Sequence, residues 1–441
     1  MQGRLYYRFQ GRYFFATADF ILNKFFKVAV FFLLIWVDMV CPVLSTALPA
    51  ADFSHIAPMV KVRDAVVVAD TDGKIIFSIN ADQALIPASI LKILTSMAAF
   101  HYLGNDFRFI TEFYIDDSAN LTVKGYGDPL LISEALAHMA GNVAEILQHT
   151  PEYNRHNKTI NHLFLDDTYF PSSIKIPGIK ASVEPYDSPI GALCANFNTV
   201  RFKRRGATYV SAEPQTPLLP MVLSRIKKSK LTHGRILLSQ NRRESTCYTG
   251  HLLAYFLRQQ GIKIKGRIEP DSVKRKNSRL LFRYTSHFSL SQIISRLLEY
   301  SNNFIANQLL ITIGIKAESA PGTLNTGSRA VMNYAKNDLG IKRLTMVEGS
   351  GISRKNRLSA MDMIRVLQKF LPYRHLMRRR GNIIYKTGTL TGISTRAGYY
   401  ESKNGHVYLF AVMLNTPPAR SAGDIANAIR KSIADWDLRP R

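Results

Sequence analysis

Acidic residues are scarce in this chain of 441 residues: 32 Asp and Glu stand against 58 Lys and Arg, a formal charge of +26. That balance calls for an anionic neighbour, whether nucleic acid, anionic lipid or an acidic polymer. Cysteine is scarcer still. Cys41, Cys194 and Cys247 are too few for a disulfide scaffold and lack the paired spacing of a zinc site. Long hydrophobic runs are missing but for one near the N-terminus, which excludes a polytopic membrane protein. Internal repeats are absent, so solenoids and arrays are excluded. What is present suffices for a core. Hydrophobic residues make up 46% and charged residues 20%, which excludes wholesale disorder. The length suits about two to four domains at roughly 100–200 residues each.

The one apolar run, Val28–Val37, follows a front carrying Arg4, Arg8, Arg12, Lys24 and Lys27 against the single acid Asp19. It is shorter than the ~20 residues a membrane-spanning helix needs. Asp38 stops it, and the small residues Ser45, Thr46 and Ala47 follow. Residues 1–47 therefore read as a signal peptide with a long basic front, and the mature chain is expected to be exported to the periplasm or cell envelope. Export removes nucleic acid from the list of partners and favours envelope polymers or lipid. It also puts Cys194 and Cys247 in an oxidising compartment, where a disulfide and two free thiols both fit.

Along the mature chain, Ala65–Asp70 and Lys74–Ile79 read as strands around the Asp72-Gly73 turn. Pro87 opens a helical stretch in which Ile90, Leu91, Leu94, Met97 and Ala98 keep helical spacing. From Asn105 to about Tyr284 the texture changes to short β-like runs, Phe107–Ile115 and His162–Leu165 among them, between turns. Helix texture returns with Leu290, Ile293, Ile294, Leu297 and Leu298 on one face. Ile383–Tyr385, Ala397–Tyr400 and Val407–Leu414 read as strands, and Asp424–Trp436 as a closing helix. The opening hairpin and the late strands are expected to form one antiparallel sheet flanked by helices, with residues 105–284 looped out as an insertion. Within that insertion, residues 201–280 hold 19 Lys and Arg against 4 Asp and Glu. A solvated face or contact with an anionic envelope surface accounts for such a cluster.

Three short motifs carry chemistry. In Ser89-Ile90-Leu91-Lys92, helical spacing sets the lysine amine beside the serine hydroxyl. Serine needs a base to become a nucleophile, and lysine serves as one only if burial or a second cation lowers its pKa. Ser301-Asn302-Asn303 lies in the break after the 290–298 helix. Two residues apart in extended backbone, Ser301 and Asn303 both face one cleft, where a hydroxyl relays a proton and an amide holds a carbonyl. Lys386-Thr387-Gly388-Thr389 ends an apolar strand that can align an extended peptide by β-augmentation. Lys386 supplies the second cation, Thr387 and Thr389 offer hydroxyls to a terminal carboxylate, and Gly388 leaves room for close backbone approach. Neither H-E-x-x-H nor G-x-S-x-G occurs, which sets aside zinc peptidases and α/β-hydrolases.

Each motif alone is weak; the ordered trio is not. S-x-x-K, S-x-N and K-T-G in that order resemble the D-alanyl-D-alanine carboxypeptidase/endopeptidase family, the class C low-molecular-mass penicillin-binding proteins. The surrounding sequence agrees: PASILKILTS about the serine, LTVKGYGDPLL (Leu121–Leu131), EGSGISRKNRLS (Glu348–Ser359) and YKTGTLTGISTRAGYY. The resemblance spans about residues 60–435. Ser-Asn-Asn replaces the more common Ser-Asp-Asn, with the two functional positions kept. Arg378–Arg380 closely precede Lys386 and raise the positive potential expected at the cleft.

The resemblance implies an α/β fold, an αβα sandwich in two parts, 48–104 and 285–441. Antiparallel sheet and helices form this transpeptidase-like domain, interrupted by a β-rich insertion over 105–284. It implies a serine hydrolase that attacks the terminal D-alanyl-D-alanine bond of peptidoglycan stem peptides through an acyl-enzyme on Ser89. In this scheme Lys92 is the base, Ser301 with Lys386 the proton relay, Asn303 the orienting amide, and the backbone N–H groups of Ser89 and Thr389 the oxyanion donors. β-Lactams then act as covalent inhibitors, and neither metal nor organic cofactor is called for. A β-lactamase and a non-catalytic peptidoglycan-binding scaffold of the same fold are the rival readings.

Overall fold

A computed structural model describes residues 51–274, 276–318, 321–417 and 421–437. The expected signal peptide, residues 1–47, lies outside the described residues. Among the described residues no helix is long and apolar enough to cross a membrane.

Strands β1 (Asp64–Asp70) and β2 (Ile75–Ile79) form the opening hairpin. Strands β3 (Arg378–Arg380), β4 (Ile383–Leu390), β5 (Ile393–Glu401) and β6 (Val407–Leu414) come from the end of the chain. All join one antiparallel sheet in the order β3-β4-β5-β6-β1-β2. β1 is thus an interior strand, which is why it reads as an unbroken apolar run. Its side chains alternate between two cores: Ala65, Val67 and Ala69 face one cluster, Val66 and Val68 the other. On the second face lies the closing helix Ala422–Asp437, through Ile425, Ile429 and Ile433.

The first face holds helices α1 (Leu91–Leu103), α2 (Leu290–Tyr300), α3 (Asn303–Glu318) and α4 (Ala360–Phe370). α1 is buried without interruption from Leu91 to Phe100, its polar residues Lys92, Thr95 and Ser96 included. α2 starts on a capping box between Ser289 and Gln292 and buries the five apolar positions legible in its spacing. It stops at Ser301, whose backbone is left-handed (φ 54°). Ser301 and Asn303 therefore meet the cleft through a sharp reversal between two helices and not through the expected extended segment.

In residues 105–284, read as β-rich, sheets and helices alternate: a five-stranded mixed sheet (Ile110–Asp116, Leu121–Gly125, Leu163–Asp166, Ile268–Pro270, Ser278–Thr285) packs against helices Ser133–Gln148 and Arg242–Gln259. A smaller three-stranded sheet (Thr199–Arg205, Thr208–Ser211, His233–Leu237) and the helix Pro220–Ser229 complete it. Cys194 and Cys247 are both free thiols.

Candidate active site

Ser89 sits in a single 3-10 turn, Ala88–Ile90, that leads directly into α1. The residue before it, Ala88, is left-handed (φ 48°), a conformation that non-glycine residues hold only when their surroundings impose it. Two glycines do so. A side chain on Gly351 would run into the Ala88 carbonyl, and one on Gly388 would come within 2.7 Å of the Ser89 amide nitrogen. The K-T-G strand and the Glu348–Ser359 loop thus press the turn of Ser89 from two sides.

Lys92, one helical turn on, is completely buried. Its Nζ donates to Ser89 Oγ (2.9 Å), Asn303 Oδ1 (2.8 Å) and the Ser350 carbonyl (2.6 Å). The last two partners only accept. A neutral amine keeps two N–H bonds for them, and its lone pair is then left facing the Ser89 hydroxyl. Burial pushes the pKa of Lys92 well below the usual lysine value; the Lys386 charge lowers it further, and Glu348 acts in the opposite sense. Lys386, also buried, donates to Ser301 Oγ (2.7 Å) and to the Thr387 carbonyl (2.7 Å). Burial brings its pKa down to about 8.

The five expected catalytic side chains therefore form two hydrogen-bonded groups, Ser89–Lys92–Asn303 and Ser301–Lys386, with the Lys386 charge felt at Lys92. Gly388 is buried against the nucleophile's turn, while Thr387 and Thr389 are exposed on β4. β3 pairs only with Ile383, Ile384 and Tyr385, so among the described residues no strand covers the outer edge of β4 from Lys386 to Leu390. Among the described residues no three His, Cys, Asp or Glu side chains gather as metal ligands.

Several contributors were not visible as site residues. The Ser350 carbonyl is backbone and leaves no side-chain signature. The Tyr186 carbonyl, from the 105–284 segment, accepts from Asn303 Nδ2 (3.1 Å) and so fixes which amide atom faces Lys92. Glu348 is fully buried and gathers the loop that carries Ser350. Its carboxylate accepts from the amides of Ser350 (2.7 Å), Gly351 (2.8 Å) and Ser353 (3.2 Å), from Ser350 Oγ (2.6 Å), and from the side-chain amides of Asn356 (2.7 Å) and Asn307 (3.4 Å). The Gly- and Ser-rich composition of Glu348–Ser359 was the available signal.

Comparison with known proteins gives the family. The D-Ala-D-Ala carboxypeptidase 3 (S13) family model matches residues 58–240, 235–372 and 370–438. A D-alanyl-D-alanine carboxypeptidase of Actinomadura sp. (strain R39) is 26% identical over 84% of this chain and 81% of its own length. The crystal structure of penicillin-binding protein 4 from Haemophilus influenzae superposes with a TM-score of 0.67 at 19% identity, covering 88% of this chain and 99% of that one. A predatory endopeptidase of Bdellovibrio bacteriovorus, crystallised acylated by penicillin G, shares the fold at a TM-score of 0.50 and 18% identity, over 86% of this chain and 92% of its own. The chain belongs to the D-Ala-D-Ala carboxypeptidase 3 (S13) family and is a serine-type D-alanyl-D-alanine carboxypeptidase.

Proposed function

We propose that Ser89 is the nucleophile of this peptidase and Lys92 its base, acting on peptidoglycan stem peptides. The observation that carries the reading is the position of Lys92 Nζ, held between two carbonyl-type acceptors and the Ser89 hydroxyl. Ser89 Oγ bonds the carbonyl carbon of the penultimate D-alanine as its proton passes to Lys92. The N–H groups of Ser89 and Thr389 receive the oxyanion, donors that are typically worth ~2.7–4 kcal/mol each. Ser301, in contact with Lys386, hands a proton to the departing nitrogen. Asn303 orients Lys92 and the substrate amide, and Thr387 and Thr389 receive the terminal carboxylate. Water then hydrolyses the ester. The open edge of β4 suits an extended peptide laid beside the nucleophile. The same chemistry on a D-alanyl-to-diamino-acid crosslink is endopeptidase cleavage, and a β-lactam acylates Ser89 and leaves slowly.

The deciding experiment is the intact mass of the mature protein after exposure to benzylpenicillin, beside Ser89→Ala. A stable one-to-one adduct that vanishes in the variant establishes the acyl-enzyme. Rapid loss of penicillin without an adduct points to a β-lactamase; untouched penicillin and no adduct point to a non-catalytic scaffold.

The leader-like residues 1–47 support export to the periplasm or cell envelope, tested by N-terminal sequencing of the secreted protein. The division into a body of 48–104 and 285–441 around an inserted 105–284 is supported by the sheet order. The excess of Lys and Arg over 201–280 supports docking on an anionic envelope surface. Binding to isolated sacculi or anionic vesicles should then weaken steeply with salt; salt-independent binding, or none, removes that element.

A further inference from the structure

A cavity of about 680 Å³ opens beside the S-x-N turn, lined on the body side by Tyr300, Ser301, Asn302 and Asn303. Its size falls in the ~300–1,000 Å³ range of sites that enclose drug-sized ligands, far more than a single departing D-alanine fills. Leu130, Ile132, Phe197, Phe288 and Ile305 give it apolar walls. Five charged side chains line it. Arg235 is tied to Glu213 by an ion pair, whereas Arg201 and Arg296 are exposed at the cavity with no ion-pair partner among the described residues. Glu134 is likewise exposed and unpaired there.

The wall opposite the S-x-N turn is held in an unusual shape. Asn196, Phe197 and Asn198 are all left-handed (φ 51°, 60° and 55°). Such residues cost on the order of 1–3 kcal/mol each and persist only where their surroundings fix them. Here the fixing is explicit. Asn196 Oδ1 accepts from the Ser133 amide (3.0 Å), Asn198 Nδ2 donates to the Ser239 carbonyl (2.7 Å), and Ser245 Oγ donates to Asn198 Oδ1 (2.8 Å). The result presents Phe197 at the cavity, edge-on to Phe304 of α3 at 6.1 Å. The cavity is therefore a preformed space with a rigid aromatic wall.

We infer that this cavity is the subsite for the leaving strand of a crosslinked stem peptide, with Arg201 and Arg296 receiving its carboxylates. The inference rests on the reading of Ser301 as proton relay to the departing nitrogen, because that residue forms the cavity's rim. In the step served, the Ser89 Oγ–carbon bond forms and the carbon–nitrogen bond of the crosslink breaks. The nitrogen departs as an amine with the proton Ser89 gave up, carrying the second peptide with it. That peptide is large, carries carboxylates and an amine and is only in part apolar, which matches apolar walls with two free guanidinium groups and one free carboxylate, Glu134. A terminal D-alanine needs none of this space.

The test compares two substrates on the full mature protein: a monomeric pentapeptide ending in D-alanyl-D-alanine, and a crosslinked peptide dimer lacking that ending. Arg201→Gln, Arg296→Gln and the double variant remove exposed charges, so folding is checked only by thermal melting. The expected result is a KM for the dimer raised about tenfold in the double variant, and a ratio of crosslink cleavage to D-alanine release lowered by the same factor. Rising ionic strength should raise the dimer KM of the wild type and leave that of the double variant flat. An unchanged ratio, or a proportional loss of both activities, overturns the subsite. Wild-type protein that takes up penicillin but cleaves no dimer overturns the subsite alone. Wild-type protein that does neither overturns the serine-hydrolase reading beneath it.

Discussion

The Nζ of Lys92 lies 2.6 Å from the carbonyl oxygen of Ser350, a residue of a loop that enters the chain after the whole of α3. That contact and the Asn303 amide together decide which way the amine's lone pair points. Asn303→Asp keeps the shape and adds a carboxylate 2.8 Å from Nζ. A nearby opposite charge favours the ammonium form, moving a pKa by roughly 1–3 units. Acylation of Asn303→Asp by a chromogenic β-lactam should be at least about tenfold slower at neutral pH, with its rising limb displaced to alkaline pH. A profile that drops in amplitude without moving contradicts the assignment.

The two lysines set a bell-shaped profile. In the proposed mechanism Lys92 accepts the serine proton as a neutral amine, so its lowered pKa brings the rising limb below the ordinary lysine range. The same proposal has Lys386 cationic beside Ser301, so its pKa of about 8 places the falling limb there. Second-order acylation rates followed across pH should rise, reach a plateau, and fall above about 8. A rate still climbing at higher pH would remove the cationic role of Lys386.

Gly388→Ala tests the close approach of β4 to the nucleophile. The added methyl group meets the Ser89 nitrogen at 2.7 Å and also strikes Thr395 Oγ1. Displacing the turn of Ser89 by a fraction of an ångström should cost about 10²-fold in acylation. Stability should fall by only about 1–3 kcal/mol, the usual range for overpacking. Penicillin labelling against thermal melting separates the two effects.

Glu348→Gln removes an acceptor from a carboxylate that serves six donors. A glutamine amide turns donors toward donors, so a loss of about 2–4 kcal/mol is expected in urea unfolding. The loss of charge should also move the rising limb of acylation to lower pH, because Glu348 holds the Lys92 pKa up. Melting and pH profile read the two roles independently.

Asp128 predicts a stability change of opposite sign. Burial pushes its pKa from 3.8 up to about 6. Below the unfolded value both states are protonated and no penalty exists. As pH rises toward 6 the unfolded chain ionises first, so stability is progressively lost and stays lost above it. Asp128→Asn keeps an acceptor for the Leu130 amide and carries no charge. It should be more stable than the wild type by roughly 2–3 kcal/mol at neutral pH and nearly equal to it at pH about 4. Denaturation at the two pH values decides.

The three motifs and the hairpin were legible because each is a local pattern: an i, i+3 pair, a turn dipeptide, an apolar strand. What stayed hidden depends on tertiary placement. The helix Ser133–Gln148 was passed over within a segment whose many short polar turns read as β texture, although its apolar residues face the core of that segment. Ser301 gave no sign of its left-handed backbone, because the reversal is imposed by α2 and α3 meeting at that point. The carbonyls of Ser350 and Tyr186 act through backbone that any residue would supply, so no letter of the sequence marks them.

The interior position of β1 has a consequence for how the protein comes into being. Its hydrogen-bonding neighbour on one side is the next strand made, but on the other it is β6, which begins only at Val407. A growing chain therefore carries its serine and its first lysine long before Lys386 exists, and without β6 the sheet that supports them has no centre. Pairing across so much intervening sequence is slow to form. The frame that brings Ser89 and Lys92 to Lys386 is thus closed only once β6 has paired with β1.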